Sequence, residues 1–527
     1  MAMGSIGDTL WDVVICGTGL QQSLLALSLS RSSKNILHID PNDYYGGAEA
    51  AFSLQETESW VDRLATEDKG LFRSASITKP DVAGLSFPRA YSLALAPQLI
   101  HARSELLSQL VSSRAYRQVE FLAVGSFYIF KTPLDPEQQP SLVRIPSTRE
   151  DVFSTTAISA KAKRGLMKFL KFVLDYDSPD QRDVWKYFAD KSLMDFLQEH
   201  FKMDAELKTY IITLTLSLDG RISTEDGLFI IHRHLTSMGH FGPGFAALYP
   251  KWGGISEIAQ VACRAGAVGG AVYMLGAGIK SMATAADEIE LELTSGDKVK
   301  TKLLVRGDDS VGDEPIISRL VAVVGSPLKS LFEPTIEGAP TPCVAVVALP
   351  AGSLTTSGEA NTYPVYVFAH SSGTGECPNG QTSALTITTS DILIVLSSIK
   401  PFCIIHNMLG AKANWKSIGV IYLSTMATSN SKEILSRALE SFLSAVDHNQ
   451  VPQCLYQLYY EQAAGVKQSR LDGLTLDLPG PSLSLSMDDS LLQHVREAWK
   501  KVVGDTVDDA EYMVFTDREP VDDDDYE

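Results

Sequence analysis

The apolar positions of this chain change period twice within its first fifty residues. Val13-Val14-Ile15-Cys16 is a continuous apolar run of strand length, closed by Gly17-Thr18-Gly19. Leu24, Leu25, Leu27 and Leu29 then recur at helical spacing, and Ile36-Leu37-His38-Ile39 is a second short run that ends in Asp40. Runs of four to eight apolar residues bounded by glycine predict buried strands, and the intervening pattern predicts a helix. Further strand-like runs fall at 118–124 and 126–130, so residues 1–150 read as α/β.

From about 151 to 240 the pattern is helical throughout. Leu166, Phe169, Leu170 and Val173 sit at i, i+3, i+4 and i+7, with Lys168 and Lys171 off that face. Ser192 is placed to cap a second helix striped by Leu193, Phe196, Leu197 and Phe201; Asp204 starts a third, striped by Leu207, Tyr210, Ile211, Leu214 and Leu218. The three stripes could close on one another as a core or leave a seam for an apolar ligand; periodicity fits both.

Strand-like runs return at 272–275, 288–293, 320–324, 344–349 and 365–369. The expected architecture is therefore α/β (α+β): a dinucleotide-binding domain of the flavoprotein-like kind, discontinuous over 1–150 and 241–504, with an inserted all-helical domain at 151–240. One stretch departs from it. Residues 382–416 have four charges in 35 positions and no clear period, and they separate a turn-like Cys377-Pro378-Asn379-Gly380-Gln381 from a strand-like run at 418–423. A hairpin would join the two directly, so 382–416 reads as an insertion, or as an intron translated through a mistaken gene model.

Charge sharpens this picture. The 527 residues carry 45 basic and 64 acidic side chains, a net −19, and residues 505–527 hold eleven acids against the single base Arg518. A block of like charge predicts a solvated, disordered tail. An acidic body argues against nucleic acid as a partner, because phosphate recognition requires Lys and Arg to replace condensed counterions. Six cysteines without CxxC spacing suit reduced, intracellular thiols. The N-terminus lacks a basic and apolar leader, and the longest apolar stretch is broken by Lys400, Pro401, His406 and Asn407. A cytoplasmic protein is expected.

The candidate chemistry begins at the glycine turn. Gly17 and Gly19 would let backbone N–H groups approach a pyrophosphate at a helix N-terminus, and Asp40 would hold ribose hydroxyls. Yet Gln22 occupies the third glycine position, where backbone and phosphate should nearly touch, so the FAD-type site reads as degenerate and no cofactor is expected. Tyr44-Tyr45-Gly46-Gly47 follows the second strand, fitting either packing or an interface. In the segment from Leu248 to Arg264, Ser256 is placed to cap a helix on which Glu257, Gln260 and Arg264 share one face. That face fits solvent or a polar protein partner. His232 and His234 would point about 200° apart on a helix, so no metal site is expected. No nucleophile–base motif appears.

These blocks together resemble the superfamily of Rab GDP-dissociation inhibitors and Rab escort proteins. The likeness is strongest over 11–47, 121–130 and 235–275, carried by GTGL, LHID and YYGG in the first block. In the last it is carried by Tyr249-Pro250, Gly253, Glu257, Gln260 and Arg264. The resemblance implies a flavoprotein-like fold that has lost its cofactor, catalyses nothing, and binds GDP-bound Rab GTPases through Tyr45, Glu257, Gln260 and Arg264. It implies that the helical domain accommodates the geranylgeranyl lipid of a Rab and that the protein touches membranes transiently. The continuation QQS after GTGL, the extra length and the acidic end resemble the escort branch of the fungal kind. That branch also binds Rab geranylgeranyltransferase, and the matching contact would fall at Tyr210 and Arg221, with tyrosine where phenylalanine is the family's residue. The inhibitor branch and an FAD-dependent oxidoreductase are the alternatives.

Overall fold

A computed structural model describes residues 6–516, apart from 67–69, 82–83, 134–137, 147–151, 153–158, 308–314, 335, 357, 379–417 and 505. The predicted opening unit forms. Strand β1 (Val13–Cys16), helix α1 (Leu20–Leu29) and strand β2 (Ile36–Asp40) are joined by the Gly17-Thr18-Gly19 turn, with the two strands parallel and Val14 opposite Leu37. Every residue of β2 and of α1 is buried. This is why β2 reads as a near-continuous apolar run rather than an alternating one. The sheet extends in the order Val272–Leu275, β2, β1, Leu304–Gly307, Thr475–Leu478, Arg470–Asp472, parallel up to the last antiparallel edge.

A second, ten-stranded sheet takes most of the remaining strands. It runs from Phe72–Thr78 through Cys454–Ala463, Ile316–Val324, Gly419–Met426, Val365–Ser371 and Val344–Leu349 to Phe121–Lys131, Ala247–Pro250 and Ile100–His101. The two runs expected at 118–124 and 126–130 are one strand, Phe121–Lys131, preceded by a short 3₁₀ turn.

The helical block carries α2 (Ala160–Leu174), α3 (Leu193–Glu199), α4 (Ala205–Thr215) and α5 (Thr224–Ser237), with a shorter helix at Pro179–Trp185. Its caps follow the sequence: Ser192 Oγ accepts from the Met194 N–H, and Asp204 Oδ1 accepts from the Leu207 N–H at 2.9 Å. The stripe residues Leu166, Phe169, Phe196, Leu197, Leu207 and Ile211 bury into a core continuous with Val124, Phe127 and Ile129 of the large sheet. The insert thus shares its core with the sheet beneath it.

One expectation needs correction. Disorder does not begin at 505. Tyr512, Met513 and Phe515 bury against the α1 side of the first sheet, Phe515 N–H donates to the Ser112 carbonyl, and the Arg31 guanidinium lies 4.7 Å over the Phe515 ring. Three apolar side chains outweigh the surrounding acids there; residues 517–527 lie outside the described residues. The segment 382–416 does too, but its flanks are visible. Val365–Ser371 pairs antiparallel with Gly419–Met426, Ser371 opposite Gly419, and Cys377 Sγ lies 3.4 Å from the Ile418 carbonyl. The two sides of the stretch meet as neighbouring strands of one hairpin. Among the described residues, no helix is long and apolar enough to cross a membrane.

Candidate functional site

The glycine turn opens onto a cleft of about 1240 Å³ whose walls include Gly17, Gly19, Gln22, Asp40, Glu49, Arg306 and Asp477. Its donors and acceptors are already engaged with one another. Thr18 gives both its N–H (2.7 Å) and its hydroxyl (2.6 Å) to Asp40 Oδ2, and Asn42 gives its N–H to Oδ1 at 2.7 Å. Burial pushes the Asp40 carboxyl up, while these hydrogen bonds pull it back. A Cβ added to Gly19 would meet Gln22 Oε1 at 3.0 Å and Glu49 Oε2 at 3.2 Å. The space beside the α1 N-terminus, where a pyrophosphate would approach the backbone, therefore holds a carboxamide and a carboxylate. A carboxylate there repels a pyrophosphate. An FAD pyrophosphate would have to displace both groups to reach the backbone.

The loop after β2 turns away from that cleft toward helix α6 (Ile255–Val268). Gly46, at φ +98°, donates its N–H to the Thr18 carbonyl and lies so close to α6 that a Cβ would meet Ser256 Oγ at 3.2 Å. The two tyrosines divide their labour. Tyr44 packs edge-on against Phe52 (4.8 Å between centroids) and joins the core. Tyr45 is half-buried beside α6, its phenol pushed up by burial and by Cys263, with Arg264 opposing.

On α6, Glu257 and Gln260 are half-buried and Arg264 is exposed, all on the face the sequence predicted. Burial raises the Glu257 carboxyl and the Arg264 charge counters it. Ser256 does not cap the helix. The N-cap is Gly254, at φ +66°, where a Cβ would meet the Tyr249 hydroxyl at 2.6 Å; Ser256 is the second residue of the helix and Gln260 Nε2 donates to its Oγ at 3.2 Å. Tyr45, Glu257, Gln260 and Arg264 are thus brought to one polar surface over the first sheet.

Two features of this region escaped the sequence. Trp252 is 52% exposed at the entry to α6, with φ +74°. Its indole packs on Gly375, where a Cβ would meet Cε3 at 2.3 Å. A tryptophan in a glycine-rich loop was the available signal. Beneath it, Glu376 is fully buried: Tyr249 donates to Oε1 at 2.7 Å, and His370 Nδ1 lies 2.6 Å from Oε2. His370 and Glu376 are six residues apart across a short turn, but Tyr249 comes from a distant strand, so no local pattern marked the three together.

In the helical block, Tyr210 and Arg221 do not share a surface. Tyr210 is 2% exposed, its hydroxyl donating to Glu206 Oε1 at 2.9 Å, because its ring fills the seam between α2, α4 and α5. Arg221 is exposed in the turn after α4 and its N–H donates to Asp219. Of the pair, Tyr210 packs in the core and Arg221 lies at the surface. The seam holds only about 10 Å³ of space, lined by Leu166, Phe169, Ile211 and His234 among others. The stripes close on one another in this conformation.

The model of the family described as GDP dissociation inhibitor matches residues 7–334. The chain belongs to the GDP dissociation inhibitor family. Among relatives in it, the "Rab proteins geranylgeranyltransferase component A" of Saccharomyces cerevisiae is 27% identical over 97% of this chain and 86% of its own length. The protein of the same name in Candida albicans is 30% identical over 70% of this chain, which spans 58% of that longer protein. The fold is likewise that of the family: the crystal structure of a Rab GDI from Plasmodium falciparum superposes with a TM-score of 0.62 at 15% identity, covering 93% of this chain and 98% of that one. The matched region contains both halves of the polar surface, the Tyr45 loop and α6.

Proposed function

We propose that this chain is a Rab escort protein, the accessory component that binds GDP-bound Rab GTPases and presents their C-terminal cysteines to Rab geranylgeranyltransferase. It performs no reaction itself. The observation that carries this reading is the surface formed by Tyr45, Glu257, Gln260 and Arg264 over a glycine turn whose ligand groups are tied to one another. An arginine beside an acid and a half-buried tyrosine offer charge-assisted and amphipathic contacts of the kind that anchor protein interfaces. The dinucleotide-binding unit serves as scaffold, and no flavin is held.

The name and coverage of the yeast relative support the escort branch. The apolar seam among α2, α4 and α5 is the place where a geranylgeranyl chain would be received after the helices part. Each methylene buried there favours binding by about 0.8 kcal/mol, which offsets the affinity of the lipid for membranes. The product is then carried to a membrane.

Prenylation of a Rab by purified transferase, with and without this chain, tests the reading. Escort activity appears as prenyl transfer that depends on the chain. The second reading, a Rab GDP-dissociation inhibitor, is favoured by the structural likeness to an inhibitor; it predicts extraction of prenylated Rab from membranes with no support of prenylation.

A further inference from the structure

Trp252 is an exposed tryptophan held in a conformation that its side chain does not favour. A φ of +74° crowds the Cβ of a bulky residue against its own backbone. The loop enforces this conformation from both sides: the Trp252 N–H donates to the Thr374 carbonyl at 2.9 Å, and the Trp252 carbonyl accepts from Ser92 Oγ at 2.7 Å. Gly375 has no Cβ, which lets the indole lie against it, and Lys251 Nζ stands 4.9 Å over the ring while pairing with Glu120. About half of the residue still faces solvent. Strain of this kind persists where the surrounding structure over-determines it, and it clusters at ligand clamps.

The loop leads straight into α6. Two glycines separate Trp252 from the helix, and the Gly254 carbonyl accepts the Glu257 N–H in its first turn. Gly253 lies so close to the chain that follows the Tyr45 loop that a Cβ would meet the Ala51 Cβ at 2.6 Å. At the other end of α6 stands Val268, 66% exposed. Helical geometry places Glu257, Gln260, Arg264 and Val268 within an arc of about 80° along about 16 Å. The polar strip is therefore bracketed by an exposed tryptophan at its entry and an exposed valine at its exit. Single apolar residues on a surface are ordinary; a strained tryptophan and a valine closing the two ends of one polar face are not scattered. In such a layout the apolar groups supply burial against a protein partner and the polar ones fix its register.

We propose that Trp252 and Val268 are apolar anchors of the Rab-binding surface, each covering an apolar side chain of the GDP-bound GTPase at one end of the Tyr45–Glu257–Gln260–Arg264 strip. The identity of the partner rests on the escort reading; the layout of the surface does not. Trp252 carries the larger share, since an indole already held between Gly375 and Lys251 loses little freedom on binding. Contacts of the strip weaken as salt screens them, whereas burial of the anchors does not depend on charge.

The test titrates the full chain with unprenylated Rab–GDP at low and at high salt. Trp252→Ala is expected to weaken binding about tenfold or more at both, and Trp252→Phe to return it to within about threefold of the parent. The loss from Arg264→Ala should shrink at high salt, which separates anchor from strip. Val268→Asp is expected to weaken binding about fivefold or more. Trp252→Gly is free of the positive-φ strain and should lose affinity without a lower melting temperature, so that unfolding does not account for the loss. Unchanged affinity in Trp252→Ala or in Val268→Asp, or a Trp252→Phe chain as weak as Trp252→Ala, would overturn the proposal. A parent chain that does not bind Rab–GDP removes the escort reading and the anchors with it; a parent that binds no more tightly than these variants removes the anchors alone.

Discussion

The Thr18 hydroxyl donates to Asp40 Oδ2 across 2.6 Å, and the Thr18 N–H reaches the same oxygen at 2.7 Å. The acid that closes the second strand is thereby held by the turn that closes the first. In a dinucleotide site these two groups face the ligand, one toward ribose and one toward pyrophosphate. Here they face each other.

Flavin binding is the direct check. The purified protein is expected to lack a visible flavin band and to show no rise in melting temperature with added FAD. The Gln22→Gly variant should behave the same way, because Glu49 and the Thr18–Asp40 pair remain. A yellow variant would show that Gln22 alone had closed the site.

Arg264→Ala should weaken binding of GDP-bound Rab by tenfold or more, since truncation of an interface arginine commonly costs about 2 kcal/mol. Arg264 is exposed, so stability should change by less than about 0.5 kcal/mol. Titration and urea unfolding measure the two effects separately. Undiminished Rab affinity would remove this residue from the platform.

Tyr249→Phe makes the opposite case. It deletes the 2.7 Å donor to the fully buried Glu376 carboxylate and leaves the surface untouched. An under-satisfied buried acceptor costs about 1–3 kcal/mol. The expected result is a lower urea midpoint with Rab affinity preserved, and an unchanged midpoint would contradict the bond's structural weight.

Acid should destabilise the fold through two histidines. Burial lowers His38 and His234 from 6.5 to about 4 in the folded state. The unfolded chain therefore binds more protons between those values, so stability is fully present above pH 6.5 and is lost as pH falls toward 4. Each contributes on the order of 3 kcal/mol. Neither ring nitrogen of His234 has a hydrogen-bond partner among the described residues, so His234→Phe should flatten the pH dependence of the melting temperature in that window. An unaltered slope would refute the assignment.

Deletion of residues 379–417 should leave a folded protein. Ser371 already pairs with Gly419, and Cys377 touches Ile418, so a short turn suffices to connect the strands. A melting temperature near that of the parent is expected. Transcript reads that span the segment without a gap would separately reject the reading of it as an intron.

Much of this was legible because the signals are local. The βαβ unit announces itself through a change of apolar period around Gly17 and Gly19, and the shared face of Glu257, Gln260 and Arg264 follows from helical geometry alone. The helix start at Asp204 is fixed by one side chain and one backbone N–H three residues away. Ser256 misled because capping preference is also local, and the close approach of Tyr249 to Gly254 overrode it. The stripe placed Tyr210 on the apolar face, where it is buried; its assignment to a partner came from the family resemblance alone.

By itself the sequence determined the element order, the helical block and the place of Gln22 at the third position of the glycine turn, all properties of residues near one another along the chain. Tertiary structure decided what those residues do. It paired Thr18 with Asp40 across 22 positions, placed Tyr45 beside a helix more than two hundred residues away, and buried Glu376 between Tyr249 and His370. It also closed the apolar seam and docked Tyr512, Met513 and Phe515 against the α1 side of the first sheet. Such outcomes depend on which distant surfaces exclude water together, and no periodicity along the chain records that choice.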